Sequence, residues 1–213
     1  MPYRTQGGTV FTPFPTLTAT ALTDHELVAL AQKGNEKAYR ELLGRYQRPV
    51  FSLIYRMLRD REQSEDLAQE TFVRVFNHID RYDPKYKFSS WIFKIATNLT
   101  IDHIRKKEVA TVSIDGSRYA VTPDEIEAST ITVASDDENP EELLEAKELG
   151  SSIEEAIGGL RAEYRTAILL RHVEGREYQE IADIMSLPLG TVKTFIHRAR
   201  KELQGKLAHL RSA

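Results

Sequence analysis

The sequence predicts an all-α protein made of two helical domains joined by a flexible acidic linker. Three observations carry this. Apolar residues recur at helical spacing through residues 24–107 and again from residue 140 onward, and no stretch alternates apolar and polar residues as a strand would. The net charge of −3 conceals a division. Residues 24–107 hold 16 Lys/Arg against 12 Asp/Glu and residues 150–213 hold 10 against 8, whereas residues 108–149 hold only 2 against 12. Two mildly basic domains therefore flank an acidic connector.

Composition also excludes whole classes of function. No run of eighteen apolar residues occurs, so no membrane insertion is expected, and the start MPYRTQGGTVFTPFPTLTATALT lacks the basic flank and apolar block of a secretory signal. A cytoplasmic protein is expected. The absence of cysteine removes disulfides, thiolate metal sites and thiol nucleophiles, and the six histidines show neither HxxxH nor HExxH spacing. No glycine-rich phosphate loop or nucleophile elbow is present. The sequence thus predicts no catalytic residue, metal site or cofactor, and a protein that is not an enzyme.

The first 22 residues, rich in Thr, Pro and Gly, read as a flexible tail. Thr23 and Glu26 then form a capping box, and Leu27, Leu30 and Ala31 keep helical spacing until Gly34 stops the helix. Asn35 caps a second helix running through Tyr39, Leu42, Tyr46, Val50, Ile54 and Met57. A third runs from about Gln63 to Ile79 with Ala68, Phe72, Val75, Phe76 and Ile79 on one face, and a fourth from about Ser89 to Lys107. Residues 108–139 lack a stable period and read as the linker. Asn139, Pro140, Glu141 and Glu142 make a helix start, because Asn caps, Pro suits the first turn, and carboxylates suit the positive helix end.

Near the C-terminus, Tyr178, Ile181, Ala182 and Met185 describe two turns of amphipathic helix, interrupted by Ser186, Leu187 and Pro188. Val192, Ile196, Ala199 and Leu203 then resume the spacing. This leaves Lys193, Thr194, His197, Arg198, Arg200 and Lys201 toward solvent, while Phe195 borders the apolar stripe. A basic amphipathic helix alone is usually just a solvated surface. A short helix, a tight turn and a basic second helix together form a helix-turn-helix, whose exposed cations and hydroxyls reach phosphates and base edges in the major groove.

Two further features sit in the first domain. Asp66, Glu70 and Arg74 occur on one face of the third helix, with Gln69 adjoining and opposite the apolar stripe. This polar ridge suits a basic partner helix, or else is an ordinary solvated face with a local Glu70–Arg74 pair. Phe88, Trp91 and Phe93 interleave with Lys87, Lys94, Arg105, Lys106 and Lys107, a combination that suits single-stranded DNA because bases stack on rings while cations neutralise phosphates. Trp91 stands equally well as a core residue.

The segments SEDLAQETFVRVF, FSSWIFKIATNLTIDHIRKK and EGREYQEIADIMSLPLGTVKTFIHRARKEL resemble, in order and spacing, regions 2.2, 2.3 to 2.4 and 4 of the extracytoplasmic-function (ECF) sigma factors of the sigma-70 family. The resemblance covers about residues 24–107 and 140–208 and implies a sigma-2 bundle over 23–107, the acidic linker over 108–139, and a sigma-4 helix-turn-helix domain over 140–213. It implies as partners core RNA polymerase, through the beta-prime clamp helices and the beta flap, promoter DNA, and an anti-sigma factor. Asp66, Gln69, Glu70 and Arg74 would contact core polymerase. Tyr82, Lys85, Lys87 and Phe88, in a loop that captures a flipped base, would serve the minus-10 DNA with Trp91, Asn98, Asp102 and Arg105. Lys193, Thr194, His197, Arg198, Arg200 and Lys201 would serve the minus-35 DNA. Phe195 departs from the pattern, since many relatives carry Arg or another polar residue there. The competing reading, a stand-alone helix-turn-helix regulator, leaves the first domain without a task.

Overall fold

The computed structural model describes residues 22–112 and 140–208, with side chains for 22–107 and 148–208. The predicted tail up to residue 21, the linker stretch 113–139, the Asn139 cap and residues 209–213 lie outside the described residues. Eight α-helices, one 3-10 turn and no strand are found among the described residues. None of these helices is long and apolar enough to cross a membrane.

Helix α1 (Asp24–Ala31) opens on the expected reciprocal cap, with Thr23 and Glu26 each accepting the other's backbone N–H. Gly34, at φ 81°, takes the left-handed conformation that glycine adopts without a Cβ penalty, and the chain turns into α2 (Glu36–Leu58). Asn35 caps α2, accepting from the N–H groups of Lys37 and Ala38 at 3.0 and 3.2 Å. Arg59 ends the helix at φ 57°, and Asp60 caps α3 (Arg61–Asn77) by accepting from the Gln63 N–H at 3.0 Å. The third helix thus starts two residues earlier than expected. Ile79 falls in a 3-10 turn (Ile79–Arg81) and still points into the core.

Helix α4 (Phe88–Val112) overruns its expected end, entering the stretch predicted as linker. The physical reason is plain: neither Gly nor Pro occurs after Phe88 until Gly116, so nothing breaks the helix at Lys107. Helices α1 to α4 bury Leu27, Leu42, Leu53, Ile54, Phe72, Val75, Phe88, Ile92 and Phe93 among themselves.

The second half comprises α5 (Pro140–Gly158), α6 (Ala162–His172), α7 (Tyr178–Met185) and α8 (Leu189–Lys206). Ile168, Leu169, Leu170, Ile181, Ile184, Val192 and Ile196 form its core. Sequence spacing did not foresee that this core is continuous with that of the first half. Helix α2 meets α5 and α6, and α4 meets α6 and α7. Arg165 donates to the Met57 carbonyl at the end of α2 and to the carbonyls of Gly158 and Leu160, satisfying orphan groups at two helix ends. Glu154 accepts from Arg56 at 3.1 Å and from Arg59 at 2.5 Å.

Leu42 is fully buried between helices of the first half. Leu42→Ala should cost about 2–5 kcal/mol by lost transfer energy and the cavity left behind. Chemical denaturation reads this, and a loss below about 1 kcal/mol would contradict the packing described.

Candidate nucleic-acid interface

The recognition unit is built locally. Helix α7 begins on a capping box in which Glu177 and Glu180 reciprocate, and Ser186 ends it in the left-handed conformation at φ 54°. The Leu187 N–H closes the turn on the Ala182 carbonyl at 3.0 Å, and Pro188 leads into α8. Burial of Val192, Ile196 and Ala199 against α6 and α7 then fixes the rotation of α8. Lys193, Thr194, His197, Arg198, Arg200 and Lys201 are all exposed on the resulting face.

Three of these six are held by neighbours. The Thr194 hydroxyl donates to the Gly190 carbonyl at 2.9 Å, which leaves its oxygen lone pairs outward. Arg198 donates to the Tyr164 hydroxyl at 3.1 Å, and Arg200 donates to His172 Nε2 at 3.1 Å. Phe195 is half-buried with its ring 5.2 Å from that of Tyr164, so it supports the helix rather than facing a groove. His172 titrates below the ordinary histidine range, first because burial disfavours the imidazolium and then because Arg200 and Arg171 repel it.

In the first half, Asn98, Asp102 and Arg105 occupy successive turns of α4 and are all exposed. His103, on the same helix, lies 2.6 Å from the Gln63 side-chain oxygen and ties α4 to α3. Lys85 and Lys87 are exposed in the preceding loop.

The expected places of Tyr82 and Phe88 need correction: both are buried, not displayed by the loop. Phe88 packs edge-on between Tyr46 and Tyr82, at 5.3 and 5.7 Å. The Tyr82 hydroxyl donates to the Tyr86 carbonyl at 2.6 Å and lies 3.2 Å from His25 Nδ1, and burial pushes its pKa up. Trp91 is half-buried, packed against both rings at 5.6 and 5.8 Å. Its reading as a core residue is thus met in part.

The aromatic that the loop does expose is Tyr86, which sequence reasoning missed. Its placement follows from a tight turn over Asp83 to Tyr86. Lys85 N–H donates to the Asp83 carboxylate at 3.0 Å, and Tyr86 N–H donates to the Asp83 carbonyl at 3.1 Å. Asp followed by Pro is the residue order such a turn favours, and that signal is present in YDPKY.

On α3, Asp66, Gln69, Glu70 and Arg74 are exposed along one side. Arg74 pairs with Glu70 at 2.5 Å. Val73, which no sequence pattern singles out, is a large exposed apolar side chain beside this ridge.

A helix-turn-helix with a cationic recognition face, together with a second helical bundle carrying its own cations and aromatics, defines a two-part DNA-binding protein. The family follows from known sequences. Residues 42–109 match the family description "Sigma-70 region 2" and residues 151–203 match "Sigma-70, region 4". The chain is 37% identical over 182 residues to ECF RNA polymerase sigma factor SigW of Bacillus subtilis, covering 84% of this chain and 94% of the relative. It is 33% identical over 192 residues to the ECF RNA polymerase sigma-E factor of Escherichia coli, covering 89% and 96%. The chain belongs to the ECF sigma factors of the sigma-70 family and is an RNA polymerase sigma factor, acting in transcription initiation with core polymerase and promoter DNA.

Two solved structures share the fold. CnrH, in complex with the cytosolic domain of CnrY, gives a TM-score of 0.60 at 22% identity, covering 87% of this chain and 97% of that one. RpoE from Bartonella quintana, in complex with the anti-sigma factor NepR, gives 0.61 at 20% identity, covering 81% and 98%.

The contact between Arg200 and His172 has a direct solution test. Arg200→Gln should raise the His172 titration midpoint followed by NMR, while burial keeps it below the ordinary histidine value. An unchanged midpoint would mean that Arg200 does not sit against the ring.

Proposed function

We propose that residues 23–107 form the unit that binds core polymerase and the minus-10 element, that residues 140–213 form the unit that binds the minus-35 element, and that residues 108–139 join them. The protein directs initiation and promotes promoter melting, while RNA synthesis belongs to the polymerase, so the chain itself is not an enzyme. Its place is the cytoplasm, beside that polymerase.

In this reading Asp66, Gln69 and Glu70 meet the beta-prime clamp helices, with Arg74 holding the Glu70 carboxylate and Val73 adding an apolar contact. On the minus-10 side, Lys85 and Lys87 flank the exposed Tyr86 ring, and Asn98, Asp102 and Arg105 continue the track along α4. Cations with an exposed ring suit a strand whose bases have left the duplex, since stacking and phosphate neutralisation offset lost pairing. Tyr82, Phe88 and Trp91 act chiefly by positioning this loop. Lys193, Thr194, His197 and Arg198 read minus-35 bases, and Arg200 and Lys201 hold phosphates. The second unit also docks on the beta flap. The complexes of CnrH with the CnrY cytosolic domain and of RpoE with NepR support an anti-sigma factor as a further partner.

The observation that carries this reading best is the exposed carboxylate ridge of α3, which lies outside the helix-turn-helix. A simple DNA-binding regulator has no use for it. Glu70→Lys should weaken binding to core polymerase in a fluorescence titration, while changing fold stability by no more than about 0.5 kcal/mol because the site is an exposed helix position. Unchanged affinity would remove Glu70 from the contact.

A further inference from the structure

We propose that Tyr164, a residue of α6 outside the helix-turn-helix, is a positioning residue that sharpens base discrimination at the minus-35 element by orienting Arg198. The proposal rests on the reading of Arg198 as a base contact. Tyr164 lies 34 positions before Arg198, on a helix that packs directly against α8. Its ring is only 5% exposed and stands against Phe195, with the ring centres 5.2 Å apart. The Arg161 guanidinium lies 5.6 Å from the centre of the same ring. A phenylalanine would fill that space equally well, so packing alone leaves the hydroxyl without a task. The hydroxyl reaches the edge of the core and accepts from Arg198 Nη1 at 3.1 Å.

The chemistry of the acceptor matters. A carboxylate in its place would hold the guanidinium more strongly, but it would cancel the charge and repel the DNA phosphates. A phenol holds the cation and leaves its charge in place. Arg200 follows the same pattern, since it donates to the neutral imidazole of His172. Among the described residues neither Arg198 nor Arg200 pairs with a carboxylate, whereas Arg45, Arg61 and Arg74 of the first half all do. Position matters as much as charge. Reading a base edge requires the flat guanidinium fork to lie close to the plane of the base pair, and a free arginine spreads over many rotamers. The bond from Nη1 to Tyr164 fixes one corner of the fork and leaves Nε and Nη2 available to a base. Holding the fork in advance favours the base that fits this one geometry and gives nothing to a base that needs another. A phosphate accepts from many directions, so a purely electrostatic Arg198 would gain little from the same tether.

Tyr164→Phe removes the hydroxyl and keeps the ring. The test gives the full chain, bound to core polymerase, duplex promoters randomised across the minus-35 element and sequences those retained. In Tyr164→Phe, discrimination should fall about two- to tenfold at one minus-35 position, the equivalent of freeing one rotamer-rich side chain, while the salt dependence of binding stays as it is. Arg198→Ala should flatten the preference at that same position, and Tyr164→Phe should add nothing further in the Arg198→Ala background. An undiminished preference in Tyr164→Phe beside a flattened one in Arg198→Ala would overturn the role of Tyr164 and keep Arg198 as a base contact. An undiminished preference in Arg198→Ala would overturn that reading of Arg198 and the proposal with it. A loss from Tyr164→Phe that persists without Arg198 would overturn the orienting role, because the hydroxyl would then act by another route.

Discussion

Burial of Phe88, Ile92, Phe93 and Ala96 fixes the rotation of α4, and the polar face of that helix and the loop before it depend on that rotation. With these side chains inward against α2 and α3, Asn98, Asp102 and Arg105 must point out on successive turns. The same burial anchors the loop before α4. Phe88 holds Tyr82, Tyr82 donates to the Tyr86 carbonyl rather than to solvent, and the Tyr86 ring is left outside between Lys85 and Lys87. An aromatic core thus supports an aromatic and cationic edge without contributing its own rings to it.

The helix-turn-helix obeys the same rule at smaller scale. Eight residues of α7 cannot hold themselves together in water. Ile181, Ala182 and Ile184 bury against α8 and α6, and a left-handed Ser186 sets the angle at which α8 leaves. Tyr164 and His172 of α6 then hold Arg198 and Arg200 from behind. Long cationic side chains lose rotamer freedom when they bind a partner, and these two are already partly held before any partner arrives.

What was legible in the sequence was local. The Thr23–Glu26 box, the Asn35 cap, the helix start at Pro140 and the stripe Ala68, Phe72 and Val75 each depend on residues within a turn or two of one another. The helix-turn-helix and its six exposed polar residues were legible for the same reason. Tyr82 and Tyr86 have identical chemistry, and only the turn built by Asp83 and Pro84 decides which of them is buried. The extension of α4 was hidden by β-branched residues whose weak helix propensity outweighed, on reading, the lack of a breaker. The seam between the halves left no signal at all. Arg165 reaches the Met57 carbonyl across 108 positions, and the Glu154 pairs span more than 90. Nothing in the periodicity of either partner announces the other.

Promoter melting is the claim that separates a sigma factor from a protein that merely binds DNA. Permanganate modification of unpaired thymines tests it most directly, on a duplex promoter given core polymerase alone, this chain alone, or both. The account predicts reactive minus-10 thymines only with both together, and a weaker signal when residues 83–87 are replaced by Gly and Ser with Tyr82 and Phe88 left in place. Thymines that stay unreactive while chain and polymerase occupy the promoter would contradict it.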